Sequence, residues 1–168
     1  ADDFAGKAFE NLNKGWPQLL KDASGSHKVD VSDHTGGTPA AVNWGGLFSA
    51  MVEQLPDVYK GDKTVFLMSR GDAELYQRQI GQMVGGLGHL LSKQNLTYLG
   101  YEIVSLNEMP RGHVIFTPLP NLVYGVNTSM ERYREYSGEE RCIKYTFDSS
   151  FDFQVAVDDA AVIAWDKP

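Results

Sequence analysis

With 168 residues, 42% of them hydrophobic and 22% charged, the chain is long enough to bury a core and suits one domain. Its net charge of −7 argues against a sequence-independent nucleic-acid binder, which needs a surplus of Lys and Arg. No apolar run approaches the roughly 18–20 residues that span a bilayer, and a single cysteine, Cys142, allows no intrachain disulfide; it reads as a small buried hydrophobe. The first residue is Ala1, which fits either a processed start or a piece of something longer.

Residues 3–23 place Phe4, Ala8, Leu12, Trp16 and Leu19/Leu20 near one helical stripe, with Gly15 and Pro17 expected to break it in two. Residues 24–37 (SGSHKVDVSDHTGG) turn polar and glycine-rich and read as a surface loop. His27, Asp30, Asp33 and His34 there are ligand types for zinc or non-haem iron, yet their spacing matches no recurring ligand motif, so no metal is expected. A helix is predicted over 39–55. Thr38 is its N-cap, Pro39 its first residue, and Trp44, Leu47, Phe48, Met51, Val52 and Leu55 form its apolar face. Gly45 and Gly46 inside it suggest close packing against a sheet.

The wholly apolar TVFLM at 64–68 predicts a strand buried on both faces. Ser69 and Asp72 form a capping box for a helix over 72–87, which unwinds at Gly85-Gly86-Leu87-Gly88. That glycine cluster follows a helix and lacks the Lys-Ser/Thr of a phosphate loop. Tyr98 to Leu106 is a second strand, where Gly100 suggests a bend, a bulge or a close backbone approach. Asn107 to Gly112 is a turn, and HVIFT at 113–117 is the returning strand, stopped by Pro118 and Pro120.

Beyond Asn121-Leu122-Val123-Tyr124-Gly125 the chain interleaves both charge signs with tyrosine. Arg132, Tyr133, Arg134, Glu135 and Tyr136 read either as a solvated face or as an edge that meets a neighbouring subunit. Residues 141–157 and 161–165 then predict a last strand pair around Asp158-Asp159. The fold class is α+β (mixed α/β), with a central mixed or antiparallel sheet and packed helices.

The ordered set formed by Leu55-Pro56, Val65 to Ser69, Leu96 to Val104, the Met109-Pro110-x-Gly112 turn, Thr117-Pro118, Asn121 to Val126 and Ala161 to Ala164 resembles the C-terminal part of tailed-bacteriophage major capsid proteins of the Hong Kong 97-type fold. That resemblance implies an axial domain over about 26–140, with 1–25 and 141–168 as peripheral-domain elements. It also implies a shell subunit without catalytic residues or cofactor. Its partners would be copies of itself, with scaffold, portal or decoration proteins beside them. It would lie in the virion, after assembly in the bacterial cytoplasm. The family's N-terminal arm, extended loop and spine helix are not identifiable in the sequence.

Two other classes stay open. The acidic composition and the start at Ala1 allow a secreted or periplasmic binding or immunity-type protein. A hydrolase would have to use pairs such as Asp148 with Asp152 or Ser149 with His113, which belong to no recognised catalytic order.

Overall fold

The computed structural model describes residues 14–36, 41–82, 96–127, 131–139, 141–148 and 150–166. The first half of the chain gives helix α1 (Trp16–Asp22), strand β1 (His27–Asp30), the short strands β2 (Thr35–Gly36) and β3 (Ala41–Val42), helix α2 (Trp44–Gln54), strand β4 (Thr64–Ser69) and helix α3 (Arg70–Gln82). Strands follow: β5 (Thr97–Tyr98), β6 (Tyr101–Leu106), β7 (Val114–Pro118), β8 (Leu122–Val126), β9 (Glu131–Ser137), β10 (Cys142–Asp148), β11 (Phe151–Val155) and β12 (Val162–Trp165).

Six strands form the main sheet in the order β1-β12-β7-β4-β6-β5. It is mixed: β4 runs parallel to β6 and antiparallel to β7, while β1 runs parallel to β12. All six residues of β4 are buried, as its apolar run requires. That requirement also explains a departure from expectation. β7 does not return beside β6; it crosses to the far side of β4, because a strand apolar on both faces is best placed between two others. The sheet separates two apolar clusters. Phe66, Met68, Ile103, Val114 and Phe116 face α2 and α3, whereas Val65, Leu67, Ile115 and Ile163 face Leu20 of α1. Each such side chain taken from water stabilises the fold by about 1.5–3 kcal/mol.

Several sequence expectations change here. Residues 24–37 are not a surface loop, since β1 lies within them and pairs with β12 at the sheet edge. The burial of Val29 and Val31 outweighs the polar neighbours that suggested a loop. Helix α2 begins at Trp44, not at Pro39. Val42 is held in a strand by Thr35, and Asn43 is the cap, its side chain accepting from the Gly46 N–H at 3.2 Å. Thr38 and Pro39 lie outside the described residues. Gly46 packs on its own cap and not on the sheet: an added Cβ would sit 2.9 Å from Asn43 Nδ2. Gly45 instead offers its carbonyl to the Tyr98 hydroxyl at 3.0 Å.

The Ser69 cap is present, its Oγ accepting from the Asp72 N–H at 3.1 Å. Asp72 itself accepts from Gly112 N–H at 2.8 Å, tying the start of α3 to the turn before β7. The 83–95 segment, with its glycine cluster, and residues 1–13 fall outside the described residues. The C-terminal region is not one strand pair. β10 pairs with β9, β11 with β8, and β12 joins the main sheet, so the chain makes two separate ribbons before re-entering the core. Cys142, expected to be buried, is exposed on one of them.

Helix α1 is fastened to the sheet partly through a polar contact. Lys21 Nζ lies 2.7 Å from His113 Nε2, while His113 Nδ1 is 3.1 Å from the Arg111 carbonyl. A carbonyl can only accept, so Nδ1 carries the proton and Nε2 accepts from the ammonium. Burial holds the His113 pKa below its ordinary value, and the Lys21 charge adds to this against the Arg111 carbonyl and Asp72. The unfolded chain therefore binds a proton at His113 more readily than the folded one. Stability is complete above about pH 6.5 and declines as the pH falls below it. In thermal melts between pH 7.5 and 5, His113→Gln is expected to decline less than the parent. Equal slopes would mean that other groups set the acid response.

Candidate assembly surface

The two ribbons are where the fold leaves side chains without cover. β9 and β10 pair in register from Glu131 opposite Asp148 to Ser137 opposite Cys142. Residues directly opposite share a face. One face thus carries Arg132, Arg134 and Tyr136 with Ile143 and Tyr145; the other carries Tyr133 and Glu135 with Cys142, Lys144 and Thr146. Both faces are exposed from 132 to 136 and from 141 to 146. Tyr133, Tyr136, Ile143 and Tyr145 stand 55%, 68%, 42% and 46% open, and the Arg132 guanidinium lies 4.9 Å from the Tyr145 ring centre. A two-stranded ribbon with neither face covered is marginally stable in water and gains from a partner surface.

β8 and β11 form the second ribbon, and lie between the main sheet and the first ribbon in chain order. It is anchored on one side. The Trp16 indole N–H lies 3.2 Å from both the Val123 and Gln154 carbonyls, and its ring meets Phe153 edge-on at 5.0 Å. Val123, Tyr124 and Val126 remain exposed. Sequence reading singled out 132–136 but missed this neighbour. The mix of Val, Tyr and Gly in LVYGV was the available signal, and it does not by itself separate an exposed strand from a buried one.

Of the residues considered for metal or catalysis, those whose side chains are described are not brought together. His27 bonds Asp159 at 3.0 Å; Asp30 accepts from the Ser32 N–H and hydroxyl; Asp33 is exposed; His34 ends a short 3-10 turn. No group of three His, Cys, Asp or Glu able to hold a metal occurs among the described residues. His113 is engaged by Lys21, and Ser149 lies outside the described residues. The Asp152 carboxylate accepts from Phe153 N–H and Gln154 Nε2. A cleft of about 470 Å³ between β3 and α3 is lined by Ala41, Val42, Trp44, Leu75, Arg78 and Gln79, a set with no acid–base pair. No helix among the described residues is long and apolar enough to cross a membrane.

No protein-family model matches the chain, and neither does any curated protein. Solved structures do. A chain from the capsid of an empty GTA particle superposes with a TM-score of 0.72 at 13% identity, covering 98% of this chain and 60% of that one. This is a phage-capsid fold. A chain of the satellite phage P4 procapsid, which includes the size determination (Sid) protein, gives 0.63 at 14% identity over 96% of this chain and 56% of its own. The virus-like particle from Pyrococcus furiosus gives 0.55 at 14% over 88% and 59%. The chain thus spans less than two thirds of each of these shell chains. The capsid fold agrees with the α+β class and with the resemblance drawn from the ordered segments.

Proposed function

We propose that the chain is the shell-forming part of a phage-type head subunit, acting structurally and binding copies of itself. The carrying observation is the capsid fold extending over 98% of the chain. The ribbon exposed on both faces adds to it, because a surface of that kind suits a subunit enclosed by neighbours. Arg132, Tyr133, Arg134, Glu135 and Tyr136 are the proposed subunit contacts. Edge strand β1, within residues 24–37, is a second candidate rim. The axial part corresponds to the six-stranded sheet with α2 and α3. The peripheral part corresponds to α1 and the two ribbons. Scaffold, portal and decoration proteins are the further partners of such a subunit, and the virion its location after assembly in the host cytoplasm. An acidic chain suits a wall that must not adhere to the packaged genome.

The test is charge reversal on the ribbon, Arg132→Glu with Arg134→Glu, made in the full gene product bearing this sequence. Both arginines are exposed, so the melting temperature should stay within about 2 °C. Particle yield by sedimentation should drop sharply. Normal particles from the double variant would remove these residues from the contact, and lost folding would place them in an internal network.

A further inference from the structure

Helix α1 touches both the main sheet and the second ribbon. Its C-terminal half belongs to the sheet: Leu20 is fully buried in the cluster with Val65, Leu67, Ile115 and Ile163, and Lys21 Nζ reaches His113 Nε2 at 2.7 Å. Ser26 holds the exit of the helix, its hydroxyl donating to the Leu20 carbonyl. One turn earlier on the same helix face, Trp16 belongs to the ribbon. Its indole N–H lies 3.2 Å from the carbonyls of Val123 and Gln154, which stand directly opposite each other, one on β8 and one on β11. One donor therefore holds both strands, and hydrogen-bond geometry allows this over a narrow range of ribbon orientations. The ring also meets Phe153 edge-on at 5.0 Å, and Phe153 packs on Tyr124 at 5.1 Å.

At its root the ribbon is held by Asn121, which bonds Val157, and by Leu122 and Val155, which pack on the sheet cluster. A two-stranded ribbon held at its root alone can tilt and twist. The Trp16 contact is a second point of attachment and fixes the direction. The first ribbon inherits that direction: β9 follows β8 and β10 precedes β11, so both its strands are tethered to the outer end of the second.

We infer that Trp16 is a positioning residue for assembly. Helix α1 is a strut that sets the angle between the main sheet and the ribbons, and through it the diameter of the closed shell. The inference rests on the shell reading, in which the β9–β10 ribbon meets the neighbouring copy. The rotation between neighbouring copies decides how many of them close. A change of angle repeated at every contact thus alters particle size without abolishing the contact.

Trp16→Phe keeps a ring against Phe153 and removes the N–H. In the full gene product the melting temperature should fall by only about 2–4 °C, as for one hydrogen bond in a chain of this size. Particles should still form, with a shifted or broadened diameter in electron micrographs. Val104→Ala, on β6 and beside the same apolar cluster, should leave the diameter unchanged. The strut itself is read in the unassembled protein from the distance between spin labels at Ser105→Cys and Val126→Cys, both exposed positions, with Cys142→Ser removing the native thiol. The distance should be narrowly distributed with Trp16 in place and broadened or displaced by Trp16→Phe. An unchanged diameter or an unchanged label distance would overturn this inference and leave the shell reading standing. An equal diameter change from Val104→Ala would overturn it too, because size would then follow stability and not ribbon direction. Failure of Trp16→Phe to fold would also overturn it, by placing Trp16 in the core. Wild-type protein that forms no shells removes the shell reading and this inference together.

Discussion

Phe66→Ala should lower the unfolding free energy by about 3–5 kcal/mol, a large share of the roughly 5–15 kcal/mol a domain possesses. Phe66 is fully buried in the central strand. Its ring stacks on Phe116 at 4.2 Å with 19° between planes, and meets Phe48 at 4.8 Å and Tyr98 at 6.2 Å. Helix, centre and edge of the sheet meet on that one side chain, so truncation opens a cavity that no single neighbour can fill. Urea unfolding is the measurement. A loss under about 1.5 kcal/mol would mean that the cluster collapses into the space and is less rigid than its ring geometry implies.

Asn121→Ala should cost about 2–4 kcal/mol, more than its size suggests. This side chain is buried and donates from Nδ2 to Thr117 Oγ1 at 3.1 Å and to the Val157 carbonyl at 2.9 Å; its Oδ1 accepts from Val157 N–H at 2.7 Å. Removing it strands the Val157 N–H and leaves the Val157 carbonyl only the Ala160 N–H, at 3.2 Å, where the chain returns from the ribbons to β12. Asn121→Asp keeps the acceptor but sets a carboxylate against a carbonyl, and should be no better tolerated. Equilibrium unfolding of both variants decides this: wild-type-like stability in either would show that water replaces the amide.

The parts of the fold legible in the sequence were those whose partners are near in the chain. The apolar run at 64–68 and the cap of Ser69 announce themselves through local chemistry, and each is present; at Gly100 the break was visible but not its form, since residues 98–106 are not one strand but β5 and β6 joined by a hairpin turn at Leu99-Gly100. Strand order was not legible, because β7 pairs with β4 and β12 across long separations, and HVIFT carries no mark of which neighbour it will take. β1 was hidden by composition: His27, Lys28 and Asp30 are polar, and only Val29 and Val31 reveal the buried face. The start of α2 was misplaced because Thr38-Pro39 is a good helix opening by local rules, while the strand pair β2–β3 overrides it. On the candidate surface, the mixed charges and tyrosines of 132–136 were visible in the sequence.

Electron microscopy of the full gene product bearing this sequence, purified and examined over a range of concentrations, bears most directly on the shell assignment. The expected result is closed particles of uniform size, with subunit density that accepts the six-stranded sheet and its two ribbons, and with the β9–β10 ribbon lying against a neighbouring copy. Protein that stays monomeric at every concentration, or particles in which that ribbon faces open solvent, would contradict it.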